Sequence, residues 1–126
     1  VKKLFATALT LCLCIPVVQA YADGHGGWNK VGEDRFKERS KIVKSGGGDF
    51  KFCLVSGPVG YYTLWEEDNI WDDRERSADN KVASKKLRKG QCAVFHNVNK
   101  YVDEGQAEFY VTKNKKSGTA HVKFYD

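Results

Sequence analysis

The chain has 126 residues, with 21 basic and 16 acidic side chains, a net charge of +5 and 41% apolar residues. That length holds one domain and a short leader, and so mild a charge lacks the dense basic patch that nucleic-acid binding needs. No run is apolar for the roughly 20 residues of a membrane span, so none is expected.

The chain opens like an export signal. Val1-Lys2-Lys3 supplies a charged start, Leu4 to Val18 a short apolar core, and Ala20 and Ala22 the small residues of a cleavage site. Cleavage after Ala20 would use Val18 and Ala20. Cleavage after Ala22 uses Ala20-Tyr21-Ala22, the stricter small-x-small form, and is preferred, so residues 1–22 are expected to be the signal peptide. Cys12 and Cys14 would leave with it. Leu13 stands where a lipoprotein signal wants a small residue, so no lipid anchor is expected. Losing Lys2 and Lys3 lowers the net charge from +5 to +3. A soluble, periplasmic or secreted protein is the expectation.

Cleavage after Ala22 would leave Asp23-Gly24-His25 at the mature N-terminus. An amine, two amides and an imidazole then form a square-planar nitrogen set suited to Cu(II) or Ni(II). Cleavage after Ala20 removes that set, and no other cofactor is expected. His96 and His121 lack the spaced partners of a zinc site.

Residues 23–48 read as a flexible or helical segment. Gly24, Gly26 and Gly27 open it and Ser45-Gly46-Gly47-Gly48 closes it, both as linkers. Between them, Glu33 to Lys44 predicts a short amphipathic helix, with Phe36 and Val43 one heptad apart on one face. Whether that segment docks on the rest of the chain is left open.

Beyond Gly48 the pattern becomes short β-type runs bounded by turn residues. Phe50 to Val55 ends at Ser56-Gly57-Pro58, and Val59 to Trp65 is rich in aromatic and β-branched residues. An acidic loop follows through Glu66-Glu67-Asp68, Ile70-Trp71 and Asp72-Asp73. Val82 to Leu87 runs into the turn Arg88-Lys89-Gly90 and the strand Gln91 to Phe95. Ala107 to Thr112 and Thr119 to Tyr125 close the chain, joined by the polar turn Lys113 to Gly118. Five or six strands at this spacing predict a mostly β domain, a small barrel or sandwich. Cys53 and Cys92, the cysteines left after export, predict one disulfide. The chain-entropy model gives a loop of about 40 residues roughly 4 kcal/mol of stabilisation.

Three segments resemble bacterial SH3-like domains. Asp68-Asn69-Ile70-Trp71-Asp72-Asp73-Arg74 stands where that family has its Leu-Asn-Val-Arg stretch. Leu87-Arg88-Lys89-Gly90-Gln91 matches its Leu-Lys-Lys-Gly turn. Phe109-Tyr110-Val111 with Gly118-Thr119-Ala120-His121-Val122 resembles its ending. Trp71-Asp72-Asp73 interrupts the first motif, Glu75-Arg76 replaces a small-Pro pair, and Ala120-His121 replaces the closing Gly-Trp. The resemblance implies an SH3-like β-barrel over residues 49–126, following the short helix read from Glu33 to Lys44, and binding of peptidoglycan or an envelope protein. Asp79-Asn80-Lys81-Val82-Ala83-Ser84 is also similar to the calcium-binding stretch of βγ-crystallin-like domains, except that Ala83 replaces a hydroxyl ligand.

Tyr61, Tyr62, Trp65 and Trp71 flank the acidic loop. Rings on a strand face can stack on sugars or grip peptide side chains, while nearby charges set orientation. The candidate ligand residues are Tyr62, Trp65, Trp71, Asp72, Arg74 as a hydrogen-bonding anchor, and Tyr110. Strand alternation sends Tyr61 and Thr63 to one face and Tyr62 and Leu64 to the other, so half of the cluster is expected to be core. Acids gather from Glu66 to Asp73 and bases at Lys81, Lys85, Lys86, Arg88 and Lys89, a bipolar pattern. No catalytic motif is present. The expected function is a non-enzymatic envelope binding module. A secreted protein-directed effector, inhibitor or toxin subunit, is the alternative, and a calcium-binding domain a further one.

Overall fold

The structure is a computed structural model that describes residues 27–67, 71–72, 75–76 and 79–126, with backbone only at 71–72 and 75–76. The expected signal peptide, Asp23-Gly24-His25, Arg74, and the side chains of Trp71 and Asp72 lie outside the described residues.

The strands are β1 (Lys30–Phe36), β2 (Val43–Ser45), β3 (Phe50–Ser56), β4 (Gly60–Glu66), β5 (Trp71–Asp72), β6 (Glu75–Arg76), β7 (Asn80–Leu87), β8 (Cys92–Phe95), β9 (Ala107–Lys113) and β10 (Ala120–Tyr125). Sheet A has the order β2-β9-β4-β7 and sheet B the order β1-β10-β3-β8, each antiparallel and four-stranded. A two-residue ribbon, β5-β6, lies within the β4–β7 connection. Every other connection between sheet strands crosses from one sheet to the other.

Alternation in β3 and β4 explains the core. Phe50, Phe52 and Leu54 face inward from sheet B, and Tyr62 and Leu64 from sheet A, all without solvent exposure. Phe109 and Val111 of β9 and Val122 and Phe124 of β10 join them. The rings of Phe50 and Phe109 meet across the sheets with centroids 4.7 Å apart. Burying side chains of this size stabilises by roughly 1.5–3 kcal/mol each. The result is a two-sheet sandwich.

Two expectations need correction. No helix occupies Glu33 to Lys44; its residues form the end of β1, a loop and the start of β2. Phe36 and Val43 do both face the core, but from strands of opposite sheets. Two apolar residues seven apart fit one helix face or two strands equally well, and pairing of β1 with β10 decides between them. Nor does a barrel close. β1 approaches β2, and β7 approaches β8, without ladder pairing. At the first gap a Cβ on Gly32 would sit 2.5 Å from Val43 Cγ1, so side-chain packing takes the place of backbone hydrogen bonds.

Ser45 to Gly48 forms a pinned turn. Asp126 accepts hydrogen bonds from Ser45 Oγ at 3.0 Å and from the Gly46 amide at 2.9 Å. The Gly48 amide donates to Asn99 Oδ1 at 2.7 Å, and φ values of 108° at Gly47 and 75° at Gly48 explain why glycine stands there. Cys53 and Cys92 form the expected disulfide and sit directly opposite each other on β3 and β8. The Leu54 amide donates to the Gln91 carbonyl at 2.8 Å, so the cysteines occupy a non-hydrogen-bonded pair, where antiparallel side chains come closest.

Candidate functional site

The outer face of sheet A carries two cross-strand rows. Tyr110, Trp65 and Lys81 are aligned on β9, β4 and β7, and Thr112, Thr63 and Ser84 lie in the next row. Register places them: residues two apart on a strand share a face, and pairing puts their neighbours alongside. A register shift between Leu64 and Trp65 brings Lys81 opposite the indole.

Hydrogen bonds fix the first row. Trp65 Nε1 donates to Thr112 Oγ1 at 2.9 Å, and the Tyr110 hydroxyl donates to Asp79 Oδ2 at 2.5 Å. The two ring planes lie within 10° of each other, with centroids 6.4 Å apart. The Arg39 guanidinium covers the Tyr110 ring at 3.9 Å from its centre and reaches Glu67 at 3.9 Å. Burial, then the hydrogen bond to Asp79, pushes the Tyr110 hydroxyl up to a pKa of about 12, so it remains a donor at neutral pH. In the second row the Thr63 and Ser84 hydroxyls are 2.6 Å apart.

The sequence-derived candidates divide. Trp65 and Tyr110 come together on this face. Tyr110 is only 5% exposed, so half-buried Trp65 offers the contact surface and Tyr110 supports it. Tyr62 points into the core, where its hydroxyl donates to the Pro58 carbonyl at 2.6 Å and burial raises its pKa. Arg39 and Thr112 carry no signal in the sequence, and Thr63 and Ser84 are not among the candidate ligand residues there. Thr63 alternates visibly with Trp65, but Arg39 joins only through its bridge to Thr112, across the chain.

A depression of about 560 Å³ adjoins the face, lined by Glu66, Asn80, Lys81, Lys100, Tyr101, Val102 and Asp103. Lys81 belongs to both, and the lining mixes acids with bases. Asp79 and Asn80, which the βγ-crystallin-like resemblance would place at a calcium site, serve the fold, Asp79 through Tyr110 and Asn80 by donating to Glu66 at 2.9 Å. Among the described residues no group of three or more His, Cys, Asp or Glu is placed to hold a metal. The arrangement can bind, through a fixed ring beside hydroxyls and mixed charge.

Comparison with known proteins places the chain. Residues 29–124 match the family described as the YndA coiled coil domain. The chain belongs to the YndA family. A member from Bacillus subtilis (strain 168), named only as the uncharacterized protein YndA, is 34% identical over 130 aligned residues, covering 97% of this chain and 94% of that relative. No solved structure matches the chain. The YndA match spans β1 through most of β10, and the described residues within it form strands and a single 3-10 turn, Asn99–Tyr101, with no α-helix.

Proposed function

We propose that this YndA-family chain is an exported, non-catalytic binding module that recognises peptidoglycan or an envelope protein through the outer face of sheet A. The observation that carries the reading is the Trp65–Tyr110 pair, held nearly parallel between Thr112, Asp79 and Arg39. A ring already fixed in place loses little entropy on binding, and its apolar face matches the C–H face of a sugar. Thr63 and Ser84 offer hydroxyls to sugar hydroxyls. Lys81, Lys100, Glu66 and Asp103 offer both charges to a peptide stem. A cross-strand disulfide supports an oxidising compartment.

Retention on purified cell-wall sacculi tests the reading. The chain should be retained, and Trp65→Ala should weaken retention roughly tenfold or more, as loss of a central aromatic contact does. Equal retention of Trp65→Ala, in protein with an unchanged melting curve, would remove this face from the proposal. No sacculus affinity but a stoichiometric protein partner would favour the protein-directed effector.

A further inference from the structure

One end of the sandwich gathers cations from loops far apart in sequence. β1 ends opposite the start of β10, which puts Lys37 there. β7 ends where β4 begins, Leu87 opposite Gly60, so Arg88 and Lys89 neighbour Val59. β9 ends opposite Tyr62, and the next residue, Asn114, clasps Tyr61: its amide donates to the Tyr61 carbonyl at 3.0 Å, and its Oδ1 accepts from the Tyr61 amide at 2.9 Å. That clasp sets Lys115 and Lys116 beside the same end. Lys113, nearly buried, ties their loop by donating to the carbonyls of Lys115 at 2.5 Å and Ser117 at 3.4 Å. Lys86 stands opposite Tyr61 on β7.

Lys37, Lys86, Arg88, Lys89, Lys115 and Lys116 are all exposed. None joins an ion pair among the described residues. Glu38 is the one acid on these loops. Amid the cations stand the two most exposed large apolar side chains of the described residues, Val59 at 47% and Tyr61 at 51%.

We propose that this end docks reversibly on an anionic lipid surface. The lysines and arginine would neutralise headgroup phosphates, Val59 would enter the boundary between headgroup and acyl chain, and Tyr61 would sit at headgroup level with its hydroxyl in water. A soluble polyanion would use the cations equally well but would gain nothing from an apolar tip; Val59 therefore selects the bilayer. Tyr61 and Lys86 stand one row beyond Thr63 and Ser84, so the docking end is the margin of the same outer face of sheet A that carries Trp65. The inference needs neither the glycan reading nor export.

Co-sedimentation with vesicles of phosphatidylcholine plus phosphatidylglycerol, against phosphatidylcholine alone, tests it. Binding should require the anionic lipid and weaken as salt rises. Neutralising a cation should cost about fivefold in partitioning, so Lys115→Gln with Lys116→Gln should cost roughly thirtyfold. Lys89→Gln, in a separate loop, should cost about fivefold and guards against a misfolded hairpin. Val59→Ser should lower vesicle binding severalfold while leaving binding to inorganic polyphosphate unchanged. Absence of anionic-lipid preference overturns the proposal. So does a Val59→Ser chain that binds vesicles as the parent does, which would assign the patch to a soluble polyanion.

Discussion

The outer faces of the two sheets are held by different chemistry. On sheet A the fixed groups are a ring pair and hydroxyls, joined by neutral or singly charged hydrogen bonds. On sheet B several outward side chains pair with one another. The Cys53–Cys92 disulfide bridges β3 and β8, and Lys51 Nζ sits between the rings of Trp28 and Tyr125, at 4.6 and 5.0 Å. His121, nearly buried, meets Glu33 at 2.6 Å, and Glu33 also pairs with Lys30. A face whose groups are already consumed is a clasp. On sheet A the indole and the hydroxyls are also hydrogen-bonded, but the ring face of Trp65 stays half-exposed, which is the surface the proposed binding would use.

Removing the disulfide should break that contrast most severely. Cys53→Ser with Cys92→Ser should lower the unfolding free energy by about 4 kcal/mol in urea titrations. The sacculus affinity of the protein that remains folded should not change, because the bridge lies on the opposite face; a matching loss of affinity would show the faces to be coupled. Tyr110→Phe is the smaller change on sheet A. It removes the hydrogen bond to Asp79 Oδ2 and should cost about 1 kcal/mol, with a shift in Trp65 fluorescence as its marker. An unshifted emission would mean that Tyr110 does not position the indole.

Acid should distinguish sheet B last and least. The hydrogen bond from Lys30, and then that from His121, holds the Glu33 carboxyl down to a pKa of about 2. Its folded value is depressed, so its contribution is complete above the ordinary carboxylate pKa of about 4.3 and is lost as pH falls toward about 2. Asp49 shifts in the same direction, through the Asn97 amide and then His96. Melting temperature should fall across that window, and Glu33→Gln should flatten the slope. An unchanged slope would remove the Glu33 pair from the clasp.

Much of the fold was legible along the chain. Phe50-Phe52-Leu54 and Tyr62-Leu64 alternate, and Arg88-Lys89-Gly90 marks the turn before Cys92, because local steric rules govern both. Lys30 to Phe36 was harder. Its apolar content is thin, and its strand character comes from pairing with a segment 84 to 95 residues later, which no local window contains. Ser40 illustrates the same limit: its Oγ accepts the Val111 amide at 2.9 Å inside the fold, yet nothing around it in sequence sets it apart. At the candidate site, Trp65 stands out in the sequence as one of an aromatic cluster, but its face is decided by the fold, and Arg39 and Thr112 become its neighbours only through register.

By itself the sequence determined the β class and the alternation of the central strands, which are local properties. It predicted the Cys53–Cys92 pair on the expectation that Cys12 and Cys14 leave with a leader. Which alternate set faces inward it left open, and Tyr62, a candidate ligand residue, is core. Tertiary structure alone decided that two sheets stack without closing, that β1 completes sheet B, that Tyr110 lies alongside Trp65, and that scattered lysines share one end. The reason is physical: those outcomes depend on which distant strands exchange hydrogen bonds, and pairing energy is set by the partner as much as by the segment.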